Sequence, residues 1–147
     1  MSKIRVVLIE DHDLTRFCTK IGLQRSEEVE IIGEAANATD GRKLLETTQP
    51  DVAIIDIDLP DMSGIELTRW FKSSATAGFQ TKVLMLTLQN TEEMVNAAIA
   101  AGANSYCLKT SSLDHLLEAL RTTYRGNSWV DPEISSMAFQ RLTLIIN

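Results

Sequence analysis

Residues 54–64 read "IIDIDLPDMSG". A short apolar run closes on a carboxylate, Asp56. Two more acids come next at Asp58 and Asp61, around Pro60 and ahead of Ser63-Gly64. A buried-looking strand that ends on an acid needs a reason, because an uncompensated charge is costly to take out of water. The reason lies in what the other strands of the chain end on.

Four further runs of the same kind flank this one. They are "IRVVLI" (4–9), "VEIIGEA" (29–35), "KVLMLT" (82–87) and "NSYCLK" (104–109), with "DVAIID" (51–56) in the middle. Most are solidly apolar or rich in β-branched residues, which suits strands buried on both faces. Helix-like stretches alternate with them. Residues 14–24 space Leu14, Phe17 and Ile21 at helical intervals, and 38–48 open on Thr39-Asp40. Residues 63–73 carry Ile65, Leu67, Trp70 and Phe71, with Trp70 expected in the core. Thr91 reads as an N-cap ahead of Glu92 and Glu93, and Gly102 as the residue that closes that helix. Ser111 or Ser112 caps a last helix through Tyr124.

Strand and helix in regular alternation mean parallel strands joined by right-handed crossovers. The expected fold is therefore α/β, doubly wound, with a five-stranded parallel sheet. Its expected order is the flavodoxin-like 2-1-3-4-5, the commonest solution for five strands.

Composition bounds the function. The chain has 147 residues, 44% of them hydrophobic and 23% charged, with a net charge of −6. An acidic chain is a poor nucleic-acid surface, because phosphate binding needs clustered Lys and Arg. The two cysteines, Cys18 and Cys107, lack metal-type spacing and read as buried, reduced thiols. The N-terminal apolar run is too short for a signal peptide, and no stretch reaches the ~18 apolar residues of a membrane span. A soluble, cytoplasmic protein is expected, with no membrane partner.

In a sheet of this order, ligands bind beyond the carboxyl ends of the strands. There the sequence places Glu10 and Asp11, then Asp56, Thr87 and Lys109. With the first and third strands adjacent, Glu10, Asp11 and Asp56 converge. Three packed carboxylates repel one another unless a cation sits among them, and hard oxygen donors favour Mg²⁺ or Mn²⁺. A metal, a carboxylate, a hydroxyl and an ammonium suit phosphoryl transfer, with an aspartate as nucleophile. No Gly-rich phosphate loop is present, so a nucleotide is not the obvious ligand.

These residues resemble a bacterial two-component response-regulator receiver domain. The matching motifs are "ED" (10–11), "DIDLPDMSG" (56–64), "LMLT" (84–87) and "SYCLK" (105–109), in the family's order over residues 4–125. His12 after the acids resembles the NarL/FixJ branch, which usually has proline where Asp13 stands. The resemblance implies that Asp56 is the phosphoacceptor. It implies a metal site of Glu10, Asp11, Asp56 and the main-chain carbonyl of Asp58. Thr87 and Lys109 then meet the phosphoryl group, and Thr87 with Tyr106 forms the switch. Pro60 and Gly64 shape the loop after the third strand. The implied partner is a sensor histidine kinase or phosphotransfer protein. The face built by 91–124 is the output surface and a candidate homodimer contact. His12 lies beside the acids, but Mg²⁺ prefers oxygen, so it reads as a surface loop residue. His115 reads as solvated.

Two departures stand out. Leu88 occupies a position that is usually small and bears on access to the phosphoryl group. Thr110 stands where a proline often comes after the lysine. Two rival readings stand beside the main one: a receiver-like module that signals by contact without phosphorylation, and a phosphatase that turns over at Asp56 with Asp58 as its acid.

Residues 1–125 read as the receiver domain and 126–147 as a linker and C-terminal extension, with "GNSWVDPEISSMAF" opening as a linker. The apolar end, "QRLTLIIN", is expected to pack on the domain or on a partner. Regulators of the resembled branch carry a helix-turn-helix DNA-binding domain after such a linker. Two expectations are open: a stand-alone receiver, or part of a longer transcription regulator that binds DNA through an appended domain and not through residues 1–147.

Overall fold

The computed structural model describes residues 2–74 and 80–134. Strands and helices alternate from β1 to α5: β1 (Ile4–Ile9), α1 (Asp13–Gln24), β2 (Val29–Ala35), α2 (Ala38–Thr48), β3 (Val52–Ile55), α3 (Gly64–Ser73), β4 (Lys82–Thr87), α4 (Glu92–Ala100), β5 (Ser105–Leu108) and α5 (Leu113–Tyr124). The five strands form one parallel sheet in the order β2-β1-β3-β4-β5. That is the α/β arrangement and strand order expected from the sequence.

Side chains alternate across the sheet, and each face has its own core. Val7, Ile9, Ala53, Ile55, Val83, Met85 and Tyr106 lie against Leu45, Leu67, Phe71 and Val95 of α2, α3 and α4. Val6, Leu8, Ile54, Leu84 and Cys107 lie against Leu23 of α1 and Leu116 and Leu120 of α5. Each fully buried Leu, Ile or Phe contributes ~1.5–3 kcal/mol relative to its exposed state. The central strand β3 is buried throughout, whereas β2, at the edge, is only partly covered.

The helices begin where the sequence offers a cap. Asn37, Ser63, Thr91 and Ser112 each accept a hydrogen bond from a first-turn N–H. Asn37 opens α2 in place of the expected Thr39-Asp40 start. His12 opens α1: its Nδ1 accepts from Thr15 N, so it is a capping residue and not a plain loop residue. Gly102 and Gly126 come after α4 and α5 with φ of +108° and +92°, values that favour glycine.

Two sequence expectations, for Cys18 and Trp70, fail on burial, and the first helix turns most of its apolar residues outward. Leu14, Phe17 and Ile21 are helical but exposed, and α1 buries Leu23 instead. Cys18, on the same outward side, is exposed and Cys107 buried. Trp70 is half-buried, with the Arg42 guanidinium 4.0 Å from its ring centroid. Periodicity identified a helix in each case. It does not say how wide a stripe the neighbouring elements cover.

Residues 127–134 run along the outer edge of β5. Tyr106 N donates to Trp129 O at 2.8 Å, and Asp131 N donates back to Tyr106 O at 3.0 Å. Ile134 joins the core, and buried Asp131 accepts from Ser111 Oγ. The edge of the sheet is thus covered rather than left open for pairing. The packing expected of the apolar end (140–147) lies outside the described residues.

Candidate functional site

The site is built by hydrogen-bond ladders that run one residue past the strands. Glu10 N donates to Ala35 O at 3.0 Å, Asp56 N to Ile9 O at 3.0 Å, and Lys109 N to Thr87 O at 2.9 Å. Each functional residue is therefore placed by the backbone of the neighbouring strand. The order β1-β3-β4-β5 brings all three to the carboxyl edge of the sheet.

There the side chains meet. Lys109 Nζ lies 2.7 Å from Asp56 Oδ2 and also bonds Glu10 Oε1. Asp11 is exposed at the mouth, and one carboxylate oxygen from each of Glu10, Asp11 and Asp56 falls within 4.8 Å of the others. One ammonium pairs with two of the three carboxylates, so the cluster keeps an excess negative charge. All its donors are hard oxygens, which fits a small divalent cation.

The electrostatics stem from burial. Burial raises the Glu10 pKa above its ordinary value and the neighbouring Asp56 adds to the rise; Lys109 opposes it. Burial also works against the Lys109 ammonium, but Asp56 and Glu10 outweigh it, so its pKa is raised. The lysine is a fixed positive charge at any physiological pH.

The other expected residues sit around this centre. Thr87 is buried at the end of β4, where its Oγ1 accepts from Gln89 N at 3.3 Å. That bond does not use the hydroxyl proton. Asp58 is exposed, with its N–H 3.3 Å from Asp56 Oδ1. Gln89 Nε2 lies 3.3 Å from Asp58 Oδ2. Tyr106 is fully buried and donates to Gln89 O at 2.7 Å; burial foremost, then Asp58 and Asp56, pushes its pKa up to about 12. It is one strand removed from Asp56, and Gln89, which accepts its hydroxyl, also reaches Asp58. Leu88 points outward, 65% exposed beside the site.

Two residues that the sequence alone did not assign to the site hold its loops. Arg16 Nη1 donates to Glu10 O at 2.6 Å, while its other nitrogens meet Asp13 and Glu34. The Asp61 carboxylate accepts three bonds from the start of α2. An arginine one turn into a helix after an acid pair was the only sequence signal for the first. Its partner Glu34 lies 18 residues away.

The response regulator receiver domain family matches residues 6–121 of the chain. Response regulator protein VraR of Staphylococcus epidermidis is 34% identical over 131 residues, which is 89% of this chain and 61% of VraR. VraR of Staphylococcus aureus is similar to the same extent. The chain thus spans about three fifths of the length of these curated relatives. Among solved structures, a LuxR-family two-component response regulator from Aurantimonas sp. superposes with a TM-score of 0.88 at 28% identity, covering 96% of this chain and 99% of the other. The signal receiver domain of the response regulator NarL from Mycobacterium tuberculosis gives 0.81 at 28% identity, with 86% and 100% covered.

Proposed function

This chain belongs to the response regulator receiver domain family, with relatives in the NarL and LuxR group, and from that premise we propose that it is a Mg²⁺-dependent phosphoryl acceptor acting as a signalling switch. The observation that carries the reading is the Lys109 ammonium 2.7 Å from a buried Asp56 carboxylate, with Glu10 and Asp11 completing an all-oxygen cluster.

The donor is a phosphohistidine of a sensor kinase or phosphotransfer protein. An Asp56 oxygen attacks phosphorus, the P–N bond breaks, and the released imidazole takes a proton from solvent. The product is an acyl phosphate on Asp56. Glu10, Asp11, Asp56 and the carbonyl of Asp58 would hold the Mg²⁺ or Mn²⁺ ion, which when bound neutralises charge on the phosphoryl oxygens. Lys109 pairs with one of those oxygens and orients the acceptor. Thr87 donates its unused hydroxyl proton to another. The chain serves both its own phosphorylation and the later hydrolysis, a switch rather than a turnover enzyme.

The added charge, ≈ −1.5 to −2, draws Thr87 and Lys109 inward. Tyr106 links that movement to the β4–α4 loop through Gln89 O. A packed element with two arrangements then shifts between them. The output face is 91–124, which would also carry any phosphorylation-driven homodimer. We assign residues 1–125 to the receiver and 126–147 to the extension. Control of transcription would run through a DNA-binding domain appended beyond this segment, in the cytoplasm. No helix among the described residues is long and apolar enough to cross a membrane.

Intact-protein mass spectrometry after incubation with a small-molecule phosphodonor tests this. The wild-type chain should gain one phosphoryl group with Mg²⁺ and none without, and Asp56→Asn none in either case. No gain by a folded wild-type chain would favour a contact-only module, with Leu88 the first residue to examine.

A further inference from the structure

The loop between β3 and α3 is held at both ends by backbone. Asp56 N is tied to Ile9 O, and Gly64 N donates to Ile57 O at 2.8 Å. Gly64 packs so tightly there that a Cβ would lie 1.9 Å from Asp56 O, so only glycine fits. Between these feet the loop arches outward through exposed Asp58 and Pro60 to Asp61.

At the tip the carboxylate reaches another element. Asp61 Oδ1 accepts from Ala38 N at 2.8 Å; Asp61 Oδ2 accepts from Thr39 N at 2.9 Å and Thr39 Oγ1 at 2.7 Å. The helix has a cap of its own: Asn37 Oδ1 takes the N–H of Asp40 at 2.8 Å, and Asn37 O takes that of Gly41 at 3.0 Å. Asp61 fills the two remaining first-turn donors from a different loop. Its negative charge sits at the positive end of the helix dipole. These bonds hold its carboxyl well below the ordinary range, at about 2. Along the arch itself, Asp58 makes a weaker polar tie, the long Gln89–Asp58 contact at 3.3–3.4 Å.

We propose that Asp61 is a positioning residue for the phosphoacceptor site, fixing the loop so that Asp58 presents its main-chain carbonyl to the cation. The inference rests on the metal-dependent reading above. Asp61 lies three residues from Asp58 with Pro60 between them. The proline ring fixes one backbone dihedral of that short segment, so the place of the tip is passed on to the carbonyl. The role differs from helix capping, because the cap at Asn37 touches α2 and leaves the loop alone.

Mn²⁺ binding, read from the loss of the free-ion electron paramagnetic resonance signal, separates the two roles. Asp61→Ala should weaken Mn²⁺ affinity by about tenfold, the low end for a residue that orients a ligand from outside the coordination shell. Asn37→Ala should lower the melting temperature while leaving that affinity unchanged. Asp61→Asn, which keeps the shape and one accepting oxygen, should fall between wild type and Asp61→Ala, and it serves if the alanine variant does not fold. An unchanged affinity in the Asp61 variants, or an equal loss in Asn37→Ala, would overturn the proposal while leaving the metal site standing. A wild-type chain that binds no Mn²⁺ would overturn the metal reading and this inference with it.

Discussion

Arg121 and Lys109 each bridge a pair of carboxylates, and they do not do the same thing. At the amino edge of the sheet Arg121 meets Glu28 at 2.6 Å and Glu118 at 2.5 Å, with both acids about half exposed, 53% and 52%. At the carboxyl edge Lys109 meets Glu10 and Asp56, whose side chains are 9% and 4% exposed. The pairings look alike on paper. Water separates them. Around Arg121 the solvent screens the charges, and holding long side chains in place offsets most of the gain. Around Lys109 the charges have lost that solvent, so each one alters the protonation of the others, as the raised Glu10 and Lys109 pKa values record. A cluster with surplus negative charge in such a place is poised for a further cation.

The sharpest way to break the comparison is to remove each cation in turn. Lys109→Ala leaves two nearly buried carboxylates without their ammonium, and should cost about 3 kcal/mol in urea unfolding without divalent ions, the low end for a buried pair losing one partner. Added Mg²⁺ should restore part of that loss, which no surface pair would show. A Lys109→Ala loss as small as that of Arg121→Ala would end the distinction.

Asp61 sharpens the comparison from the side of a carboxylate stabilised by N–H and O–H donors instead of a cation. Its carboxyl is held at about 2 against an ordinary 3.8. The folded state therefore binds the proton less readily than the unfolded chain. The sign is that of a depressed acid: the stabilisation is complete above pH 3.8 and is lost as pH falls through about 2. The melting-temperature gap between wild type and Asp61→Asn should hold above that window and close within it. A gap that is constant down to pH 2 would mean that the ionised form is not what matters.

The smallest effect belongs to the cation whose partner acids are solvated. Arg121→Ala should change stability less than any substitution above, and by still less in high salt.

The fold and the centre of the site were legible for one physical reason. Strands buried on both faces read as apolar runs, and the residue after each run must lie at the carboxyl edge of the sheet. That placed Glu10, Asp11, Asp56, Thr87 and Lys109 together before any distance was measured. The hidden features depend on contacts between distant residues. Helical spacing could not tell that Leu14, Phe17 and Ile21 face outward, because nothing in α1 records what packs against it. Nor could it tell that Arg16 reaches Glu34 on β2, or that Asp61 bonds the start of a helix 22–23 residues earlier. Residues 127–131 look like a linker by their Asn, Ser and Asp content, yet their backbone pairs with the open edge of β5, a need that belongs to the sheet and leaves no mark on the segment itself.

Which carboxylate takes the phosphoryl group is read directly by borohydride reduction of the phosphorylated chain and subsequent peptide sequencing. Reduction converts an aspartyl phosphate into homoserine and leaves free aspartates untouched. Homoserine at position 56, formed only when Mg²⁺ was present during phosphorylation, is the predicted result. Homoserine at position 11 or 58 instead, or none in a folded and phosphodonor-treated chain, would contradict the assignment of the buried cluster as the phosphoacceptor site.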